Sequence, residues 1–74
     1  MTTPTTEPVF AEPLTVRERQ VAEAVARGLR NKQIAVELGI SAETVKRHLA
    51  SIYGKLAVHG RLALAIHMLR SRAA

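Results

Sequence analysis

Net positive charge is concentrated in the last 31 residues of this 74-residue chain, where basic side chains could bind phosphate. Residues 1–43 contain all six glutamates and five cations and sum to −1. Residues 44–74 contain no acidic residue and six cations, namely Lys46, Arg47, Lys55, Arg61, Arg70 and Arg72. A segment of +6 without carboxylates suits contact with a nucleic-acid backbone, and the alternative is a solvated basic surface.

Two of these cations lie side by side on the predicted outer face of a helix. The inner face is set by apolar residues at steps of four, three and four, namely Val45, Leu49, Ile52 and Leu56. The opposite face contains Thr44, Lys46, Arg47, Ala50 and Ser51. Arg47 suits a bidentate contact to guanine O6 and N7 but could equally hold phosphate, whereas Lys46, as a flexible point charge, leans toward phosphate.

A short helix predicted over about 32–38 precedes this one, which is predicted over about 42–57. Asn31 is the expected N-cap of the first helix, Gly39 can end it in a left-handed conformation, and Ser41 is the expected N-cap of the second. Two helices joined by a three-residue turn form a helix-turn-helix. The outward face of its second helix lies in the DNA major groove, so the pattern points to DNA.

The remaining segments predict an all-α four-helix bundle without a wing. Residues 1–13, rich in Thr, Pro and Glu, are expected to be a flexible tail or linker remnant, although Val9 and Phe10 could dock on the bundle. Residues 14–74 form the predicted domain. Its first helix starts at a capping box, Thr15 with Glu18, and ends near Gly28.

The last helix, predicted over about 61–72, has two apolar stripes. One contains Leu64, Ala65 and Met68, and the other contains Leu62, Ile66 and Leu69. Both cannot face a core this small, so one stripe is a candidate for contact with another chain.

Several classes of function are unsupported by the sequence. His48, His59 and His67 lack acidic or thiol partners and the close spacing of a zinc site, and no carboxylate follows Glu43 to complete a catalytic triad. We therefore expect no enzyme activity, metal, cofactor or small-molecule ligand in this chain. The absence of cysteine permits a cytoplasmic setting, and neither a membrane-spanning run nor a signal peptide is recognisable.

An ordered series of motifs resembles the DNA-binding domain of the LuxR/FixJ class of bacterial transcription regulators. The motifs are Leu14-Thr15-x-Arg17-Glu18, Gly28 with Asn31-Lys32 and Ile34-Ala35, Leu38-x-Ile40-Ser41, Thr44-Val45-Lys46-x-His48, and Lys55-Leu56-x-Val58 with Arg61. They cover residues 14 to about 70. The resemblance implies a response-regulator type of DNA-binding domain that acts as a homodimer on a two-fold site and can work with RNA polymerase. The third helix would read the major groove and the fourth would mediate dimerisation.

Carried over position by position, the resemblance implies a set of site residues. Lys46 and Arg47 are expected at the major groove, and Asn31, Lys32 and Thr44 near the phosphates. Lys55 and Arg61 are basic matches with a structural or electrostatic contribution. The candidate DNA-binding set also includes Arg17, Ala50 and Ser51, and the candidate dimer surface is Leu62, Ile66 and Leu69.

Some of these residues have competing interpretations. Arg17 could neutralise a phosphate or pair with a helix carboxylate, and Arg61 could cap the carbonyls at the end of the third helix. His48 and Tyr53 favour packing over contact with bases. Ala57 replaces the glycine usual in the family, so a stiffer or longer end of the third helix is expected.

Two other classes of protein remain open at this point. Region 4 of a sigma factor shares the pattern from Ile34 to Lys46, although the apolar fourth helix after Arg61 disfavours it. A protein-interaction module could instead pair with other regulators through that helix. The chain would be either a free-standing effector or part of a larger regulator.

Overall fold

Four helices make up the described part of the chain. The computed structural model describes residues 13–73, with α1 at Val16–Ala26, α2 at Asn31–Leu38, α3 at Ala42–Leu56 and α4 at Arg61–Ala73. These residues contain no strand, which confirms the predicted all-α fold. The expectations for residues 1–12, including docking of Val9 and Phe10, fall outside the described residues.

The predicted capping box at the start of α1 is confirmed. The Thr15 hydroxyl accepts a hydrogen bond from the Glu18 amide at 3.0 Å, and the Glu18 carboxylate accepts one from the Thr15 amide at 2.9 Å. At the other end the chain turns through Gly28, whose φ of +89° is left-handed. The amides of Gly28 and Leu29 then donate hydrogen bonds to carbonyls in the last turn of α1, as in a Schellman motif.

The predicted N-cap of α2 is wrong by one residue. Arg30 is the N-cap and Asn31 is the first helical residue. The side-chain oxygen of Gln33 accepts from the Arg30 amide at 2.7 Å, while the Asn31 side chain accepts instead from Arg61. Gly39, with φ of +68°, ends α2 as predicted and leaves the three-residue turn before α3.

The start of α3 is as predicted, but its end is not. Ser41 accepts from the Thr44 amide at 3.0 Å and is the N-cap. The helix stops at Leu56 because Ala57 adopts a left-handed conformation with φ of +56° and ψ of +43°. Alanine therefore does not lengthen the helix; it takes the strained conformation that glycine adopts more easily.

The core lies where the apolar faces of the four helices meet around α1. The packing of α1 involves the three other helices, and α2 also packs on α3. Three of the four residues predicted for the inner face of α3 are buried, and Leu56 is half-buried. The buried apolar residues are Val21, Ala22, Ala24, Val25, Ile34, Ala35, Val45, Leu49, Ile52, Leu64 and Met68.

The two stripes of α4 face different ways. Leu64 and Met68 are buried against the core. Leu62, Ile66 and Leu69 remain 75%, 43% and 48% exposed, so one stripe is left uncovered as expected. Among the described residues, none of the helices has the length and apolarity needed to cross a membrane.

Candidate nucleic-acid interface

The outward face of α3 carries two free cations. Lys46, Arg47 and Ala50 are exposed, as the helical spacing predicted. Within residues 13–73, neither Lys46 nor Arg47 forms a side-chain hydrogen bond or ion pair. Both charges are therefore unpaired within the part of the chain that the structure describes.

The first turn of α3 is held by two hydroxyls. The oxygens of Ser41 and Thr44 lie 2.8 Å apart, and Ser41 also accepts from the Thr44 amide. Thr44 is half-buried at the edge of the exposed face. This turn fixes the direction of α3 at the end where bases are read in a helix-turn-helix.

A buried carboxylate organises the other half of α3. Glu18 of α1 is only 5% exposed and accepts hydrogen bonds from the Ser51 hydroxyl at 2.6 Å and the Lys55 ammonium at 2.8 Å. The hydrogen bond from Lys55, followed by those from Ser51 and the Thr15 amide, lowers the pKa of Glu18 from 4.5 to about 2. The carboxylate is therefore charged at neutral pH although burial alone would raise its pKa.

In this Glu18 cluster, which consists of Glu18, Ser51 and Lys55, two candidate DNA-binding residues are bound within the fold. Ser51 and Lys55 were expected near DNA, yet the structure turns both side chains toward α1. Their spacing of four residues places them on one side of α3, which is a sequence signal for a shared partner. The sequence gives no indication that this partner is Glu18, because the contact spans 33 and 37 residues.

Two further candidates, Asn31 and Arg61, bind each other. The Arg61 guanidinium donates to Asn31 Oδ1 at 2.9 Å and to the Leu29 carbonyl at 2.7 Å. The expectation that Arg61 caps the end of α3 is therefore wrong, because its carbonyl partner lies between α1 and α2. The arginine joins the start of α4 to the start of α2.

The remaining sequence-predicted residues lie near the surface. Arg17 donates to the Leu38 carbonyl at the end of α2 at 3.4 Å, and no helix carboxylate pairs with it among the described residues. Lys32 is exposed on the first turn of α2. His48 and Tyr53 are half-buried, and Tyr53 packs against the core, consistent with the packing role predicted for it.

One exposed ion pair between α1 and α2 was not predicted from the sequence. Arg27, after α1, forms an exposed ion pair with Glu37 of α2 at 2.6 Å, and this hydrogen bond raises the pKa of Arg27.

Val36 of α2 is 83% exposed, and nothing in the described residues explains its exposure. No cluster of potential metal ligands occurs within residues 13–73.

A short helix, a three-residue turn and a longer helix with exposed cations define a helix-turn-helix DNA-binding domain. Residues 12–68 match the family described as bacterial regulatory proteins, luxR family. The chain belongs to this family of DNA-binding transcription regulators.

Comparison with curated proteins gives the same assignment. The chain is 51% identical over 57 residues to the transcriptional regulatory protein UhpA of Escherichia coli (strain K12), which covers 77% of the chain and 29% of UhpA. It is 50% identical over 58 residues to the probable transcriptional regulatory protein SgaR of Hyphomicrobium methylovorum, covering 77% and 28%. It is 48% identical over 61 residues to the nitrate/nitrite response regulator protein NarP of E. coli (strain K12), covering 82% and 28%. The chain thus spans less than a third of the length of these relatives.

Proposed function

We propose that this chain binds duplex DNA sequence-specifically as a homodimer, with α3 in the major groove and α4 at the dimer surface. The observation that carries the proposal is the division of the cations of α3. Lys55 is bound internally by Glu18, whereas Lys46 and Arg47 have no internal partner among the described residues. The charge left free on α3 is therefore concentrated on its outward face, where a major groove would be.

Within this proposal the outward residues have different tasks. Arg47 reads a base through its two parallel donors, and Lys46 contacts phosphate. Ala50 leaves space for a base edge or a thymine methyl group. Lys32 and Thr44 contact the flanking phosphates, which set the register of the domain but carry little sequence information.

The other candidate residues support the interface in this proposal. Their polar groups already have partners within the fold, so they connect parts of the domain to one another and do not themselves contact DNA. These residues are Arg17, Asn31, Ser51, Lys55 and Arg61.

The dimer surface rests on the outer stripe of α4. Leu62, Ile66 and Leu69 form an apolar row that a two-fold copy of the same helix would cover. A surface of this size is modest, so the free protein is a weak dimer that DNA binding stabilises by mass action. Two recognition helices would then lie about one DNA turn apart.

The cellular role follows the same proposal. UhpA is described as a transcriptional regulatory protein, SgaR as a probable transcriptional regulatory protein and NarP as a response regulator. We extend regulation of transcription to this chain, with RNA polymerase as a further partner in the bacterial cytoplasm. Membership of the luxR family favours this function over a sigma-factor module.

Selection of bound sequences from a random duplex pool tests the proposal directly. We expect an enriched site with two-fold symmetry, and an affinity for it that falls log-linearly with salt concentration. Arg70→Ala, which removes an exposed cation from the last turn of α4, is the control for charge loss outside α3. The proposal fails if no sequence is enriched or if binding does not depend on salt.

A further inference from the structure

Arg61 forms the polar link between the first turns of α4 and α2. Its two terminal nitrogens have separate acceptors, Asn31 Oδ1 at 2.9 Å and the Leu29 carbonyl at 2.7 Å. Arg61 and Asn31 are both half-buried. A planar guanidinium that donates to two acceptors at once restrains the relative orientation of the segments it joins as well as the distance between them.

The position of this link determines which helices it connects. The main packing partner of α4 is α1, whereas α2 packs on α3. The helix with the exposed apolar stripe and the two helices of the helix-turn-helix are therefore held together by α1, by residues 57–60 that connect α3 to α4, and by the Arg61 link. Leu62, the most exposed residue of the stripe, directly follows Arg61, and Lys32 directly follows Asn31.

We propose that Arg61 and Asn31 are positioning residues that fix the angle between α4 and the helix-turn-helix, and so set the half-site spacing that the dimer accepts. This inference rests on the proposed homodimer. In such a dimer each recognition helix lies about 17 Å from the two-fold axis, half of the roughly 34 Å between half-site centres. A tilt of about 5° between α4 and the rest of the domain then moves the recognition helix by about 1.5 Å, close to half the rise of a base pair.

A direct phosphate contact by Arg61 is the competing role, and the internal bonds argue against it. Moving the guanidinium to DNA would leave the Leu29 carbonyl and the Asn31 amide oxygen without the donors they have in the fold. Losing two hydrogen bonds from a charged donor costs stability, so the internal arrangement is favoured.

The test uses variants that separate charge from geometry. Arg61→Lys keeps the charge but lacks the planar fork, Asn31→Ala removes one acceptor, and Arg61→Ala removes the link. Arg70→Ala serves as the charge-loss control on the same helix. Each variant is titrated at varied salt with an isolated half-site, and with two-fold sites whose half-sites are moved closer or further apart by one or two base pairs.

We expect all variants of the link to bind the isolated half-site within about twofold of the wild type, with an unchanged salt slope. Affinity for the best-spaced two-fold site should fall about three- to tenfold in Arg61→Lys and Arg61→Ala, and the preference for that spacing should flatten, because rigid pre-orientation raises the effective concentration of the second half-site. The double variant of Asn31 and Arg61 should add little to Arg61→Ala.

Two results would overturn the inference. If Arg61→Ala weakens half-site and two-fold binding equally and lowers the salt slope by about one unit, Arg61 is a phosphate contact. If Arg61→Lys keeps the wild-type spacing profile, the fork does not set the angle. Failure of the proposed dimer is recognised separately, because the wild type itself would then show no preference for two half-sites over one. Circular dichroism confirms that each variant is folded.

Discussion

At the scale of single residues, Glu18 determines which polar side chains of α3 are bound within the fold. Burying a carboxylate is costly unless donors surround it, and here Ser51, Lys55 and the Thr15 amide all donate to it. The same bonds draw Lys55 and Ser51 away from solvent. Lys46 and Arg47 then remain as the exposed cations of α3.

The lowered pKa of Glu18 makes stability depend on pH in a defined direction. Its folded-state pKa of about 2 lies below the ordinary 4.5, so the ionised form stabilises the fold above pH 4.5 and this contribution is lost as pH falls toward 2. A shift of that size corresponds to about 3 kcal/mol. We therefore expect the stability gap between wild type and Glu18→Gln to narrow by about that amount between pH 7 and pH 2.

Urea unfolding over this pH range measures the gap. Glu23→Gln changes an exposed acid of the same helix and is the matched control. An equal pH dependence in wild type and Glu18→Gln would contradict the role of the Glu18 cluster.

Replacement of Arg47 tests base reading. Arg47→Ala should lower specific affinity by about 1–3 kcal/mol and relax discrimination at one position of each half-site, because the bidentate donor nearest the bases is lost. Lys46→Ala is the comparison, and should mainly reduce the salt slope by about one unit. Titration against single-base variants of the selected site distinguishes the two. Equal weakening by Arg47→Ala on every sequence would make Arg47 a phosphate contact.

At the scale of secondary structure, the sequence predicted what depends on neighbouring residues. The caps at Thr15 and Ser41 and the left-handed Gly39 involve partners within a few residues, and all three are confirmed. The end of α3 was misjudged because the helical preference of Ala57 gave way to the turn that leads into α4.

Contacts between distant parts of the chain were harder to predict. The bonds from Lys55 to Glu18 and from Arg61 to Asn31 join residues 37 and 30 positions apart. These bonds depend on how whole helices pack. Hydrophobic periodicity shows which face of a helix is buried, but not which side chain of another helix it meets. Charge, helical spacing and the family resemblance together indicated the candidate residues, but whether each faces outward or inward required the fold.

The left-handed Ala57 predicts a stabilising substitution. Alanine at a φ of +56° is strained by its Cβ atom, and glycine is not. Ala57→Gly should therefore raise the free energy of unfolding by about 0.5–1 kcal/mol, after the greater entropy of glycine in the unfolded chain is subtracted. Thermal unfolding checks this, with Ala63→Gly in α4 as a control that should destabilise. A destabilising Ala57→Gly would show that the turn has little strain.

At the scale of the whole molecule, α1 packs against helices that carry two different surfaces. One surface contains the exposed Lys46 and Arg47 of α3, and the other contains the outer stripe of α4. The chain corresponds to less than a third of the length of its curated relatives. If α3 binds DNA and α4 forms the proposed dimer, mutations can separate dimerisation from DNA binding.

The exposed stripe of α4 allows that separation to be tested. Leu62→Glu or Leu69→Glu should leave the monomer folded, because both side chains are about half exposed or more. A charge at the two-fold contact is desolvated beside its own copy, so cooperative binding to a two-fold site should be lost while weak half-site binding remains. Val16→Glu, which charges an exposed apolar residue at the start of α1, is the matched control. Sedimentation and DNA titration give the two readouts. Should both α4 variants sediment and bind as the wild type does, α4 is not the dimer surface and its exposed stripe serves another contact.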